Sequence, residues 1–197
     1  MVDFEKVRKY DAAALRDEAD RISRKLAVFL AGPFINELLP QTDKVNSETS
    51  AKRLRFHLLA ALTHSGHTVY LGEDTKMRAN GVAQFGPLGN AVVYERHHIT
   101  KNVDALLVLP DSPGSFCEVG DWVTDKRFCA KMMLVVDKQY EGELNFVNEG
   151  VVRLAQAYHA RVEYLDYEDL GAVQSKCEEF LTSIAQDLEV EALFGRK

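Results

Sequence analysis

The chain has 197 residues, 46% of them hydrophobic, with 24 Lys and Arg against 30 Asp and Glu, for a formal net charge of −6. That length and apolar fraction suit one large domain, and a chain of this size buries roughly 70% of its unfolded surface. The acidic balance argues against a broad surface for nucleic acid or anionic lipid, while leaving room for a local nucleotide site.

At the N-terminus, Phe4, Val7, Tyr10, Ala14, Leu15, Ala19 and Ile22 recur at helical spacing, which predicts an amphipathic helix over residues 1–25. The segment is dense in charge and is not expected to be a signal peptide, and no apolar run approaches the ~20 residues of a membrane span. A cytoplasmic protein with no membrane partner is expected. Cys117, Cys129 and Cys177 form no C-x-x-C pair and read as small hydrophobes in a reducing compartment.

The run "KLAVFLAGPF" predicts a strand buried on both faces and so a parallel sheet. "SETSAKRLRFHLLAALTHSG" predicts a helix starting at Ser47 or Thr49 and stopping at Gly66, and "HTVYLGED" a second strand. Residues 72–90 carry four glycines and Pro87 without a sustained period, and predict a long functional loop. A helix "AVVYERHHITKN", the strand "DALLVLP", a helix through "CEVGDWVTDKRF" and the strand "KMMLVVD" follow. The helix "NFVNEGVVRLAQAYHA", the strand "RVEYL" and a final amphipathic helix over about 167–189 complete the chain. Five apolar strands alternating with helices predict a single α/β domain over 26–190, doubly wound and flavodoxin- or Rossmann-like, with a five-stranded parallel sheet and helices on both faces.

Ligands of such sheets bind beyond the carboxyl ends of the strands, where helix N-termini point outward. Three strand ends stand out: "AGPF" from Ala31, "GED" from Gly72 and "PDSPGSFCE" from Pro110. Neither GxGxxG nor a P-loop occurs. The turn before Glu118 allows two readings. Ser115-x-x-Glu118 has the spacing of a capping box, in which Glu118 folds back onto the Ser115 amide. Alternatively, Glu118 faces a pocket floored by Gly32 and Gly114 and stabilises an oxocarbenium-like sugar, as carboxylates of retaining glycosidases do. The helix N-terminus would favour its ionised form, and the Gly114 and Ser115 amides would hold phosphate.

Other candidates carry similar pairs of readings. Glu73 and Asp74 would accept from ribose hydroxyls or form a solvated loop, and Glu95, His97 and His98 lie together on one helix, where His98 would protonate a leaving base or pack into the core. Arg53 or Arg55 would approach a phosphate or form a salt bridge. Asn145 and Asn148 would complete the pocket, in this subunit or a neighbour, or cap a helix. Trp122 and Phe128 read as core, and no cluster has metal spacing, so no metal is expected.

Together, "AGPF", "GED", "VDALLVLPDSPGSFCEVG" and "NFVNEG" resemble the nucleoside 2-deoxyribosyltransferase-like superfamily, and most closely the deoxyribosyltransferase-like effectors encoded beside bacterial retrons, in which S-P-G-S-x-x-E-x-G recurs. The resemblance spans about 26–165. It implies that Glu118 is the nucleophile or cation stabiliser, that Asp111, Ser112, Gly114 and Ser115 surround the sugar, and that Gly32, Pro33 and Phe34 touch base or ribose. Transferases of the superfamily carry an acid six residues before the nucleophile. Ser112 stands there, with Asp111 adjacent, which implies hydrolysis rather than base exchange.

The resemblance implies an N-glycosidase toxic in anti-phage defence, with NAD or another nucleotide as substrate and no cofactor. It also implies a homo-oligomer held in check by a regulatory protein or ribonucleoprotein such as a reverse transcriptase complex. A salvage deoxyribosyltransferase and a non-catalytic nucleotide sensor are the alternatives.

Overall fold

The computed structural model describes residues 24–86 and 89–195, and the helix expected over residues 1–25 lies outside them except for Arg24 and Lys25. Five strands, β1 (Ala27–Ala31), β2 (Thr68–Tyr70), β3 (Ala105–Val108), β4 (Met132–Asp137) and β5 (Arg161–Leu165), form one all-parallel sheet in the order β2-β1-β3-β4-β5. This is a doubly wound α/β fold, and its chain reverses direction across the sheet between β1 and β3, the place where such folds open a crevice. Leu30 pairs with Leu107 across that junction, and Phe29 pairs with Tyr70 on the other side of β1.

Alternate strand residues feed two cores, which is why the central strands read as unbroken apolar runs. Val28 and Leu30 pack with Leu107, Leu54 and Leu58 of α2 (Ser50–His64) and Val173 and Phe180 of α8 (Leu170–Phe194). Phe29 and Ala31 pack on the other face with Leu106, Met77, Ile99, Trp122 and Phe128. Those last four side chains come from α3 (Thr75–Phe85), α4 (Ala91–Asn102), α5 (Pro113–Trp122) and α6 (Lys126–Cys129). The shorter helical segments are α1 (Lys44–Ser47), a 3₁₀ turn at Lys138–Tyr140 and a π-helical stretch, Val147–Val152, that runs into α7 (Arg153–Ala157).

Several boundaries differ from the sequence expectation. The 72–90 segment is not a long loop, because Thr75–Phe85 is helical, its start capped by the Asp74 carboxylate accepting from the Lys76 amide at 2.8 Å. Its period is weak in sequence because its buried face is only Met77 and Gly81, the latter a glycine whose Cβ would collide with the Tyr94 ring of α4. Thr49, not Ser47, caps α2, its Oγ1 accepting from the Lys52 amide at 3.2 Å. The last helix runs to Phe194 and stops at Gly195, whose φ of +63° suits the left-handed helix cap that glycine adopts without a Cβ penalty. Cys129 and Cys177 are buried as expected of small hydrophobes, whereas Cys117 is exposed on α5.

Candidate active site

β1 ends at Ala31 and the chain passes directly over α2 and β3. A Cβ on Gly32 would sit 3.1 Å from Arg55 Cδ and 3.2 Å from Leu109 Cβ, so a larger residue would push the "AGPF" turn off the guanidinium beneath it. Arg55 is 1% exposed. Its Nε and Nη2 donate to the Leu30 carbonyl at 3.3 and 2.8 Å and its Nη1 to the Pro33 carbonyl at 2.8 Å. The remaining donor directions go to Glu73, with Nη1–Oε1 at 2.8 Å and Nη2–Oε2 at 3.0 Å. Arg55 therefore pins the ends of β1 and β2 together and has no donor left for a phosphate. Glu73, which also accepts from the Ile35 amide at 3.3 Å, is not a solvated loop residue but is held in place by Arg55 at the cavity lining.

The third strand end corrects the capping assignment. Ser112 is the N-cap of α5: its Oγ accepts from the Ser115 amide at 3.2 Å, and Ser115 Oγ accepts in return from the Ser112 amide at 2.9 Å. A serine thus performs the return bond expected of Glu118. The helix opens three residues earlier than the Ser115 spacing suggested because Pro113 suits the first helical position, where no amide hydrogen is needed. Glu118 lies in the second turn, with its carboxylate released from capping. The Ser115 amide is likewise committed, leaving Gly114 as the one amide among Gly114 and Ser115 without a partner among the described residues.

Ala31, Gly32, Phe34, Arg55, Gly72, Glu73, Arg78, Glu95, Ser112, Gly114, Ser115 and Glu118 enclose a cavity of about 190 Å³ at the β1/β3 junction. A second cleft of about 440 Å³ adjoins it, sharing Phe34 and Glu73. Gly72 brings two carboxylates together: a Cβ there would lie 3.4 Å from Glu95 Oε1 and 3.7 Å from Glu118 Oε1. Glu95 is 6% exposed.

Burial raises both acids. Glu118 is pushed up to about 6, chiefly by desolvation and also by Glu73, against the opposing pull of Arg55 and Arg78. Glu95 is pushed up to about 7 by desolvation and then by Glu118, again opposed by Arg78. Desolvation outweighs the helix N-terminus, which at the second turn has largely lost its influence on Glu118. Between those two values the pair holds roughly one proton between two carboxylates, the arrangement that separates a nucleophile from an acid.

Of the residues anticipated from sequence, Gly32, Phe34, Arg55, Glu73, Ser112, Gly114, Ser115 and Glu118 meet at this cavity. Pro33 contributes a carbonyl to Arg55 and does not line it. The Asp111 side chain also lies off the lining, near Thr49, Lys52 and Asp137, and burial raises its pKa. Asn148 does not complete the pocket, because its Nδ2 donates to the Tyr140 and Glu143 carbonyls, both at 2.8 Å, and its Oδ1 accepts from Tyr164 Oη at 2.9 Å. Asn145 caps that turn by accepting from the Asn148 amide at 3.0 Å. His98 packs edge-on to Tyr70 with centroids 4.4 Å apart, outside the cavity, and burial lowers its pKa.

Sequence reasoning passed over Arg78 and gave Glu95 no role of its own. Arg78 falls in the 72–90 segment, which has no sustained period in sequence, and the Asp74 cap before it is the local signal that places it on a helix. Among the described residues, no group of three His, Cys, Asp or Glu side chains is placed to hold a metal ion, and no helix is long and apolar enough to cross a membrane.

A family model described as the STM3845 retron effector protein matches residues 51–194. The chain is also similar to the Escherichia coli protein named "Retron Ec86 putative ribosyltransferase/DNA-binding protein", with 29% identity over 63 residues, 32% of this chain and 20% of that protein. The match thus spans a fifth of the length of that curated relative.

Proposed function

The chain belongs to the STM3845 retron effector family, and on that premise we propose that it is an N-glycosidase that cleaves the base–ribose bond of NAD or another nucleotide as a toxic effector in anti-phage defence. The observation that carries the proposal is a pair of carboxylates, half-buried Glu118 raised to about 6 and buried Glu95 raised to about 7, that converge at Gly72 in the cavity where this fold class binds ligands. The ribosyltransferase name of the Escherichia coli relative agrees with chemistry at a sugar C1′.

In the proposed reaction, ionised Glu118 engages C1′ as the C1′–N bond breaks, and the bonding electron pair leaves with the base. With a purine or pyrimidine base, protonated Glu95 delivers its proton to the departing base and so becomes a carboxylate. Water then adds to C1′, releases Glu118 and returns a proton to Glu95, which restores both groups. Nicotinamide, whose ring nitrogen is already cationic in NAD, leaves neutral without that proton, and the proton of the attacking water then passes to solvent. Burial serves the first step, since it raises Glu95 to about 7 and so holds a large part of it protonated near neutrality.

Base exchange is disfavoured, because Ser112, standing where exchange enzymes of the resembled superfamily carry an acid, is engaged in capping through its Oγ. Such an activity requires restraint in the host, and the partner we propose is the retron's own reverse transcriptase complex.

The test is to incubate purified protein with NAD, nucleotides and deoxynucleosides and to measure released base beside a Glu118→Gln variant. Release by wild type and its loss in the variant are expected. Equal release by both would remove Glu118 from the mechanism, and nucleotide binding without release would favour a sensor.

A further inference from the structure

The cavity contains two arginines and three glutamates, and their pairing is uneven. Arg55 and Glu73 neutralise each other through a two-point contact, and every donor of Arg55 is engaged. Arg78 differs. Its Nε donates to the Gly72 carbonyl at 3.3 Å, which brings the guanidinium to the cavity wall. Its two Nη groups have no hydrogen-bond acceptor among the described residues, and no carboxylate among them lies within salt-bridge distance. Glu95 and Glu118 feel its charge through space without touching it.

Across the cavity, Pro113 has no amide hydrogen, the Ser115 amide is bound by Ser112 Oγ and the Phe116 amide by the Ser112 carbonyl. Gly114 is thus the only amide of the first helical turn left open toward the lining. The anion-binding capacity of the site reduces to one guanidinium fork and one amide hydrogen at a helix N-terminus.

We propose that Arg78 is the specificity residue that anchors an anionic phosphate of the substrate, with the Gly114 amide as a second contact, so that phosphorylated nucleotides are selected over nucleosides. The inference rests on the reading of the cavity as an N-glycosidase site and adds the residue that recognises the substrate's charge. A guanidinium presenting two parallel donors matches two phosphate oxygens, a geometry that lysine does not provide. The cavity volume of about 190 Å³ agrees, since it is below the roughly 300–1,000 Å³ of pockets that enclose a whole ligand. A substrate held at Glu118 must extend outward, and Arg78 lies on an exposed face of α3 at that opening.

The experiment pairs each nucleoside 5′-monophosphate, and NAD, with the matching nucleoside. Binding is measured by calorimetry in a Glu118→Gln background and turnover in the otherwise wild-type protein, with Arg78 intact or changed to Ala or Lys. With Arg78 present, phosphorylated ligands are expected to bind at least tenfold more tightly than their nucleosides. Arg78→Ala is expected to bring the phosphate-to-nucleoside ratio of Kd and of kcat/KM close to one, and Arg78→Lys to recover only part of it.

A parallel fall for both members of each pair, with the ratio kept, would mean that Arg78 only positions the carboxylates and would overturn the inference, as would failure of every phosphorylated ligand to bind. If no base is released but Arg78→Ala still abolishes the phosphate preference, the glycosidase reading fails and the anion anchor stands. If base is released without any phosphate preference, the reverse holds.

Discussion

Glu95 and Glu118 turn carboxylate oxygens toward one point, the space that a side chain would fill at Gly72, although they lie on different helices. Gly72→Ala would place a methyl group in ordinary contact with both oxygens, so folding should survive. The methyl occupies the gap in which the sugar would meet the pair, and base release is expected to fall by roughly 10²-fold, since displacements near 1 Å carry costs of that order. Steady-state kinetics beside a thermal melt separates this from unfolding, and unchanged kcat/KM would show that substrate does not enter the gap.

The two acids titrate as a pair, and their roles fix the shape of the pH profile. With a nucleoside monophosphate as substrate, activity requires Glu118 ionised, so kcat/KM rises through about 6, and Glu95 protonated, so it falls through about 7. A narrow maximum between those values is expected. Glu95→Gln should remove the alkaline limb and lower the rate by roughly 10²–10⁴-fold. A wild-type profile that stays level from well below the lower value to well above the upper one would sink the assignment.

Stability should show the opposite face of the same burial. Both carboxyls have folded pKa values raised above their unfolded value, so the native state binds more protons across the interval between them. Their contribution is fully present below the unfolded value of 4.5 and is lost as pH rises through about 6 and about 7. The Glu95→Gln, Glu118→Gln double variant should therefore melt a few degrees higher than wild type on the alkaline side of that interval, given roughly 2–4 °C per kcal/mol for a chain of this size. A melting temperature that falls in the double variant at that pH would contradict the desolvation argument.

Arg55 carries structural weight that does not depend on chemistry. Its side chain is 1% exposed, and removing it leaves Glu73 without its counter-charge and the Leu30 and Pro33 carbonyls without the guanidinium donors. Arg55→Met is expected to cost about 3–5 kcal/mol in denaturant unfolding, and the Arg55→Met, Glu73→Leu double variant to recover part of the loss, because an unpartnered buried charge costs more than an apolar pair of similar volume. Equal losses in the single and double variants would deny the coupling.

Asn148 gives a control outside the cavity. Asn148→Ala removes three side-chain hydrogen bonds, two that close the 140–148 turn on itself and one that ties it to Tyr164 of β5, and should destabilise by about 1–3 kcal/mol. KM should not change, and a large rise in KM with intact stability would return Asn148 to the substrate site.

The strands, the two-faced sheet and most helices were legible in the sequence because each leaves a local signature: unbroken apolar runs for β1, β3 and β4, and a capped apolar stripe for α2. The importance of the Glu118 turn was legible too, from its place after a strand. What misled was also local. Ser115-x-x-Glu118 and Ser112-x-x-Ser115 both have capping spacing, and Pro113 decides between them only through backbone geometry. A helix whose buried face is Met77 and Gly81 leaves too little period to read, so Arg78 stayed hidden.

The sequence by itself determined the α/β class and the strand end at which chemistry belongs, because periodicity and turn chemistry are properties of neighbouring residues. Only the tertiary structure decided that Arg55 is committed to Glu73, that Asn148 faces away, and that Glu95, Glu118 and Arg78 share one cavity. Those facts depend on the β2-β1-β3 order, which sets distant strand ends side by side, and on desolvation, which exists only once the surrounding elements have closed over the carboxylates.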